Sequence, residues 1–154
     1  MSWFRHAAIG VALFAVLPMG AAAAQPPAGA DAVDGYPLAQ GNYSSPDADD
    51  FAWVFFKTPD GRGCGIGPNG GPVGCDAVPY DVTGFDQTVV EPGAPAGYRQ
   101  SGPRTFTRDV DVLPEGHRLQ NWGAGCGVGH QGTVTCHTYG EHGFVLAATY
   151  SVFW

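Results

Sequence analysis

The chain is short of charge, and shortest of lysine. Lys57 stands alone beside six arginines in 154 residues, and charged side chains make up only 14% of the whole. Past Arg5 there are six basic side chains against fourteen acidic ones, a net charge of −8 over residues 25–154. An acidic chain of this kind is a poor match for nucleic acid or an anionic membrane surface, and neither is expected as a partner. No Gly-x-Ser-x-Gly elbow occurs, so an α/β-hydrolase site has no support. The glycine-rich stretches open no helix, which removes the phosphate loop and the dinucleotide fingerprint. No cofactor motif remains. No segment after the first two dozen residues shows a helical period, so the domain should be built from strands.

Cysteine is equally sparse. There are four, at positions 64, 75, 126 and 136, and no two form the close Cys-x-x-Cys pair that a zinc knuckle needs. They sit instead in two segments of one design. Gly63-Cys64-Gly65-Ile66-Gly67 turns at Asn69-Gly70 and returns through Val73-Gly74-Cys75. Gly125-Cys126-Gly127-Val128-Gly129 turns at His130-Gln131-Gly132 and returns through Val134-Thr135-Cys136.

Asn-Gly is a strong hairpin signal, because a type I′ turn needs positive φ at both central residues. Centring the first hairpin there sets Ile66 opposite Val73 and Cys64 opposite Cys75. A three-residue loop with glycine in the left-handed position sets Val128 opposite Val134 and Cys126 opposite Cys136. Four cysteines allow three connectivities. Register selects 64–75 and 126–136, with slight closure of the strands to reach disulfide spacing.

The amino terminus reads as a secretory signal peptide over residues 1–24. Arg5 and His6 form the basic end, and Ala7 to Leu17 the apolar run, too short to span a bilayer. Ala22 to Ala24 supply small residues before a cut at Gln25. Export, an oxidising compartment and no stable membrane anchor after cleavage follow together. Residues 25–50, rich in Ala, Gly, Pro, Asp and Ser, read as a flexible or draped segment. Asp47, Asp49 and Asp50 lack the spacing, glycine and distal glutamate of a calcium loop.

Residues 51–154 read as one disulfide-stabilised β-domain of six to eight strands, a small antiparallel barrel or two-sheet sandwich. Phe51 to Thr58 predicts a strand with Phe51, Trp53 and Phe55 on one face. Residues 76–104, with four prolines, predict a long irregular excursion holding at most a short strand near Gln87 to Val90. Thr105 to Leu113 predicts a strand with Phe106, Val110 and Val112 on one face. Gly143 to Trp154 predicts one final strand. In both hairpins cysteine and aliphatic residues share a face, and the other face is mostly glycine. Aromatic rings such as Trp53, Trp122 or Tyr150 are expected to cover it.

Chemistry is thin. His130, His137 and His142 form the one histidine cluster, with Glu141 beside it. His130 and His137 end one strand about 20 Å apart if extended, which leaves His137 and His142 as the candidate metal pair. The long excursion supplies the candidate contact residues Tyr80, Phe85, Tyr98 and Arg99. The reading is a secreted, non-catalytic binding or structural module whose partner is a protein or envelope component. The alternative is an extracellular hydrolase with a site assembled from distant Asp, Glu, His and Ser residues.

Phe56-Lys-Thr-Pro-Asp-Gly61, Cys64-Gly-Ile66, Val73-Gly-Cys75-Asp76, Leu113-Pro-x-Gly-x-x-Leu119, Cys126-x-Val128, Gly132-Thr-Val-Thr-Cys136 and His142-Gly-Phe144 carry a resemblance. In these the chain resembles a group of small exported actinobacterial proteins, mycobacterial ones especially. The resemblance implies secretion and a disulfide-stapled β-domain, and brings no activity with it.

Overall fold

A computed structural model describes residues 25–154, so the signal-peptide expectation for residues 1–24 lies outside the described residues. The domain is mainly β, with short 3₁₀ turns and no α-helix among the described residues. Ten strands form two antiparallel meanders. The first holds β1 (Val54–Lys57), β2 (Gly63–Ile66), β3 (Val73–Cys75), β4 (Gln87–Glu91) and β5 (Ala94–Arg99), in that order. The second holds β6 (His117–Asn121), β7 (Ala124–Val128), β8 (Val134–Thr138), β9 (His142–Leu146) and β10 (Ser151–Phe153). The sheets face each other with β1 against β6, β2 against β7, β3 against β8 and β5 against β10.

Both hairpins have the expected register. Cys64 pairs with Cys75 and Ile66 with Val73, while Cys126 pairs with Cys136 and Val128 with Val134. Both disulfides are formed, and the strands close to Cα separations of 4.0 and 4.1 Å. The turns are more alike than their sequences. Asn69 and Gly70 have φ of 57° and 84°, and Gln131 and Gly132 have 58° and 71°. The cysteines and aliphatic residues point inward. With Phe56, Leu113, Leu119, Phe144 and Leu146 they make one core between the sheets.

The glycine faces point outward, and each is covered by an arm. Residues 105–107 lie on the first sheet. A Cβ at Gly74 would come within 2.7 Å of the Phe106 ring, and one at Gly63 within 2.7 Å of Thr107 Cα. A 3₁₀ turn at Ala30–Gly35 lies on the second sheet, where a Cβ at Gly127 would come within 2.7 Å of Val33. Phe55 and Phe106, then Val33 and Tyr36, fill the places expected of Trp122 and Tyr150, which are exposed. Trp53 takes part through its stack on Phe55 and a tilted contact with Phe106, ring centres 6.2 Å apart.

The two arms are exchanged. Residues 30–39 precede the first meander yet cover the second, bridging β6 in parallel at Leu38 and Arg118. Residues 105–113 precede the second meander yet cover the first, bridging β1 in parallel at Lys57 and Val112. Lys57 donates to Asp111 and accepts from Leu113; Arg118 donates to Pro37 and accepts from Ala39. Residues 25–50 are therefore draped, with Val33 and Tyr43 buried.

Four expectations are corrected. The strand at 51–58 begins only at Val54, because Ala52 has φ of 64° and Phe51 points to solvent. Residues 105–113 form the covering arm in place of a strand, and Val112 is exposed while Phe106 and Val110 are buried. The last strand is two, since the chain reverses over residues 147–150. The excursion at 76–104 contains the β4–β5 hairpin. Pro92 occupies its turn, and Pro95 lies on an edge strand beside an irregular rung, where a missing N–H costs little. These added strands raise the count to ten.

Candidate functional site

Of the four contact residues expected from the sequence, Phe85 and Tyr98 meet ring to ring, and Tyr98 and Arg99 have structural partners. Tyr98 stands on β5 with its ring 4.9 Å from Phe153 and 5.9 Å from Phe85. Tyr98 pairs with Thr88, and Phe153 with Phe144, so both rings belong to the inner faces and close the side of the sandwich. Arg99 donates its Nε to Gln87 Oε1 at 2.9 Å. Gln87 is buried and donates to Asp76 Oδ1 at 2.6 Å and to Thr105 Oγ1 at 2.8 Å. Tyr98 and Arg99 are therefore half-buried strand residues with structural partners, and do not lie on a solvent-facing loop. Tyr80 is 80% exposed and tied to the 147–150 turn by its amide.

The histidine pair is separated. His137 pairs with Gly143 and His142 with Thr138. Neighbouring residues of a strand point to opposite faces, so these two imidazoles lie on opposite sides of the sheet. Among the described residues no group of three His, Cys, Asp or Glu side chains is placed to hold a metal ion.

His137 instead meets Asp34, Nε2 to Oδ1 at 2.7 Å, in a cleft of about 530 Å³ that also holds Tyr139, Glu141 and Trp154. The first half contains its counterpart. Asp76, which follows Cys75 as His137 follows Cys136, accepts from the Phe106 amide at 2.8 Å and from Thr107 Oγ1 at 2.7 Å. Both contacts hold an arm against its sheet. The His–Asp pair is thus accounted for as an arm clasp.

A second cleft, of about 590 Å³, was not legible in the sequence. Ser44, Ser45, Asp47, Asp50, Phe51, Trp53 and Asn121 are among its walls. Trp53 lies parallel to Phe55, ring centres 5.3 Å apart at 3°. The Arg108 guanidinium sits 4.6 Å from the Phe55 ring centre and forks onto Asp50 at 2.6 and 2.7 Å. Asn121 locks the opposite wall, its amide nitrogen donating to Ala52 O at 2.7 Å, Ile66 O at 3.0 Å and Gly67 O at 3.3 Å.

Ala52 in this cleft, and Trp122 next in sequence to its wall residue Asn121, hold a backbone that L side chains resist. Ala52 has φ of 64° and Trp122 has φ of 51°. Trp122 and Gly123 form the two-residue turn between β6 and β7, where asparagine would be the ordinary choice. The aromatics so presented are Phe51, 86% exposed, and Trp122, 55% exposed. Nothing in the local sequence signals this cleft, whose walls come from residues 44–54 and Asn121.

Three carboxylates are held in the charged form. Hydrogen bonds from Arg108 hold the Asp50 carboxyl below the usual aspartate range against the opposing effect of burial, and Ser45 assists. Burial pushes Asp60 up, but Thr58 and Arg62 outweigh it and the net shift is downward. The amides of Ser101 and Gly102 lower Asp86. A general acid needs the opposite shift.

No protein-family model, curated protein or solved structure matches this chain.

Proposed function

We propose that the protein is an exported, non-catalytic binding module of the cell envelope or extracellular space, and that it takes its ligand in the cleft at Trp53. The observation that carries this is a cleft walled by the exposed Phe51 and the rigidly backed Trp53, with the strained backbone of Ala52 between them. Strain of this kind costs about 1–3 kcal/mol per residue and tends to mark functional positions. Export is supported by two disulfides in the core and by the signal-like residues 1–24, and the described residues include no helix long and apolar enough to cross a membrane. The resemblance to exported actinobacterial proteins points the same way. The hydrolase alternative would rest on His137 and Asp34, which already serve as a clasp.

The test is expression with the native leader in an actinobacterial host, followed by mass measurement and fractionation. Cleavage before Gln25 and retention on the envelope fraction are expected. Phe51→Ala and Trp53→Ala should release the folded protein into the medium. Equal retention of both variants would remove the cleft from the function, and a full-length membrane-held product would remove export.

A further inference from the structure

Resting on that reading of the cleft, we propose that its ligand is a neutral saccharide stacked on the open face of Trp53. One face of the indole is covered by Phe55, so the opposite face is the one the cleft can offer. A flat, rigidly backed ring suits the apolar C–H face of a pyranose or furanose.

The polar walls narrow the class further, because several of their donors are already spent. The Asp47 amide donates to Ser45 Oγ at 3.2 Å, and the Asp49 amide to Asp47 Oδ1 at 3.0 Å. The amides of Asp50, Phe51 and Trp53 donate to Asp47 O, Ala48 O and Asp50 O at 3.1, 3.3 and 3.0 Å. The Asn121 amide nitrogen is taken by three carbonyls. Acceptors remain at Asp47 Oδ2 and Asn121 Oδ1, and the hydroxyls of Ser44 and Ser45 can act either way.

A ligand that fits must be dense in donors and flat on one side. A polyol ring meets both needs. A peptide brings fewer donors per unit of surface for the Asp47 carboxylate and the Asn121 carbonyl to take up. An anionic ligand meets carboxylates, and Arg108 is already neutralised by Asp50. A cation finds only a weak excess of negative charge, since Asp50 is paired.

The experiment titrates the isotope-labelled, disulfide-intact exported protein with neutral β-glucan, α-mannan and galactan hexasaccharides. Choline and a proline-rich peptide serve as contrasting probes. At least one hexasaccharide should shift the Trp53 indole N–H saturably, and the contrasting probes should not. Trp53→Ala should weaken that binding about tenfold or more, Phe51→Ala severalfold, and Trp53→Phe should restore part of it. Phe51 is exposed enough that its variant keeps the test valid if Trp53→Ala fails to fold. If choline or the peptide shifts Trp53 while every saccharide fails, the saccharide assignment is overturned and the binding cleft stands. If no probe perturbs the cleft, both fall.

Discussion

Asp50 and Arg108 lie 58 positions apart and meet as a two-point fork, Nε to Oδ2 at 2.6 Å and Nη2 to Oδ1 at 2.7 Å. Asp50 ends the draped amino-terminal segment, and Arg108 belongs to the arm over the first sheet. The contact therefore ties one arm to the segment that leads into β1, and it fixes the floor of the Trp53 cleft.

Replacing Arg108 by methionine should lower stability by about 2 kcal/mol at neutral pH, since Asp50 is left nearly buried without its partner. The folded acidity of Asp50 lies below its unfolded value, chiefly through the Arg108 hydrogen bond. The contribution is thus fully present above the ordinary aspartate range and is lost as pH falls through the lower folded value. Urea unfolding at pH 7 and pH 3 should differ less in the variant than in the parent.

Both disulfides lie in the core, with all four cysteines at 0–1% exposure. A reductant should leave them intact in native buffer and cleave them once denaturant opens the sheets. Loss of either short staple should cost about 3 kcal/mol in the chain-entropy picture. Thiol counting by mass after alkylation, with and without denaturant, gives the answer. Ready reduction in native buffer would contradict the buried placement.

Gly74→Ala should destabilise the domain by about 1–3 kcal/mol. Its new Cβ would sit 2.6 Å from Thr88 O and 2.7 Å from the Phe106 ring, and the carbonyl cannot move aside. Gly97→Ala is the control, because nothing lies within 4 Å of that Cβ. Thermal unfolding of the pair should separate them clearly. Equal midpoints would mean that the arm at Phe106 does not cover this face.

Arg99→Ala should cost about 1–2 kcal/mol by leaving Gln87 Oε1, on a buried side chain, without its donor. Tyr98→Ala should destabilise by a similar or larger amount, through loss of the contacts to Phe85 and Phe153. Neither should alter occupancy of the Trp53 cleft, which they do not line. A parallel loss of ligand in either variant would move the site to the sheet edges.

Local patterns in the chain determined the hairpins and the disulfides. Asn69-Gly70 and Gln131-Gly132 set the turns, a two-residue period set the faces, and each cysteine then had one partner opposite it. The glycine faces announced that something must lie over them. What lies there was decided by tertiary structure, because Phe106 and Val33 reach their glycines only through arms that cross from one half of the chain to the other. The same holds for Tyr98 and Arg99. Prolines around them read as loop, yet an edge strand tolerates a proline whose N–H has no ladder partner to lose. The cleft is the extreme case. Asp50, Trp53, Arg108 and Asn121 come from four separate segments, and their meeting depends on long-range packing that no local period encodes.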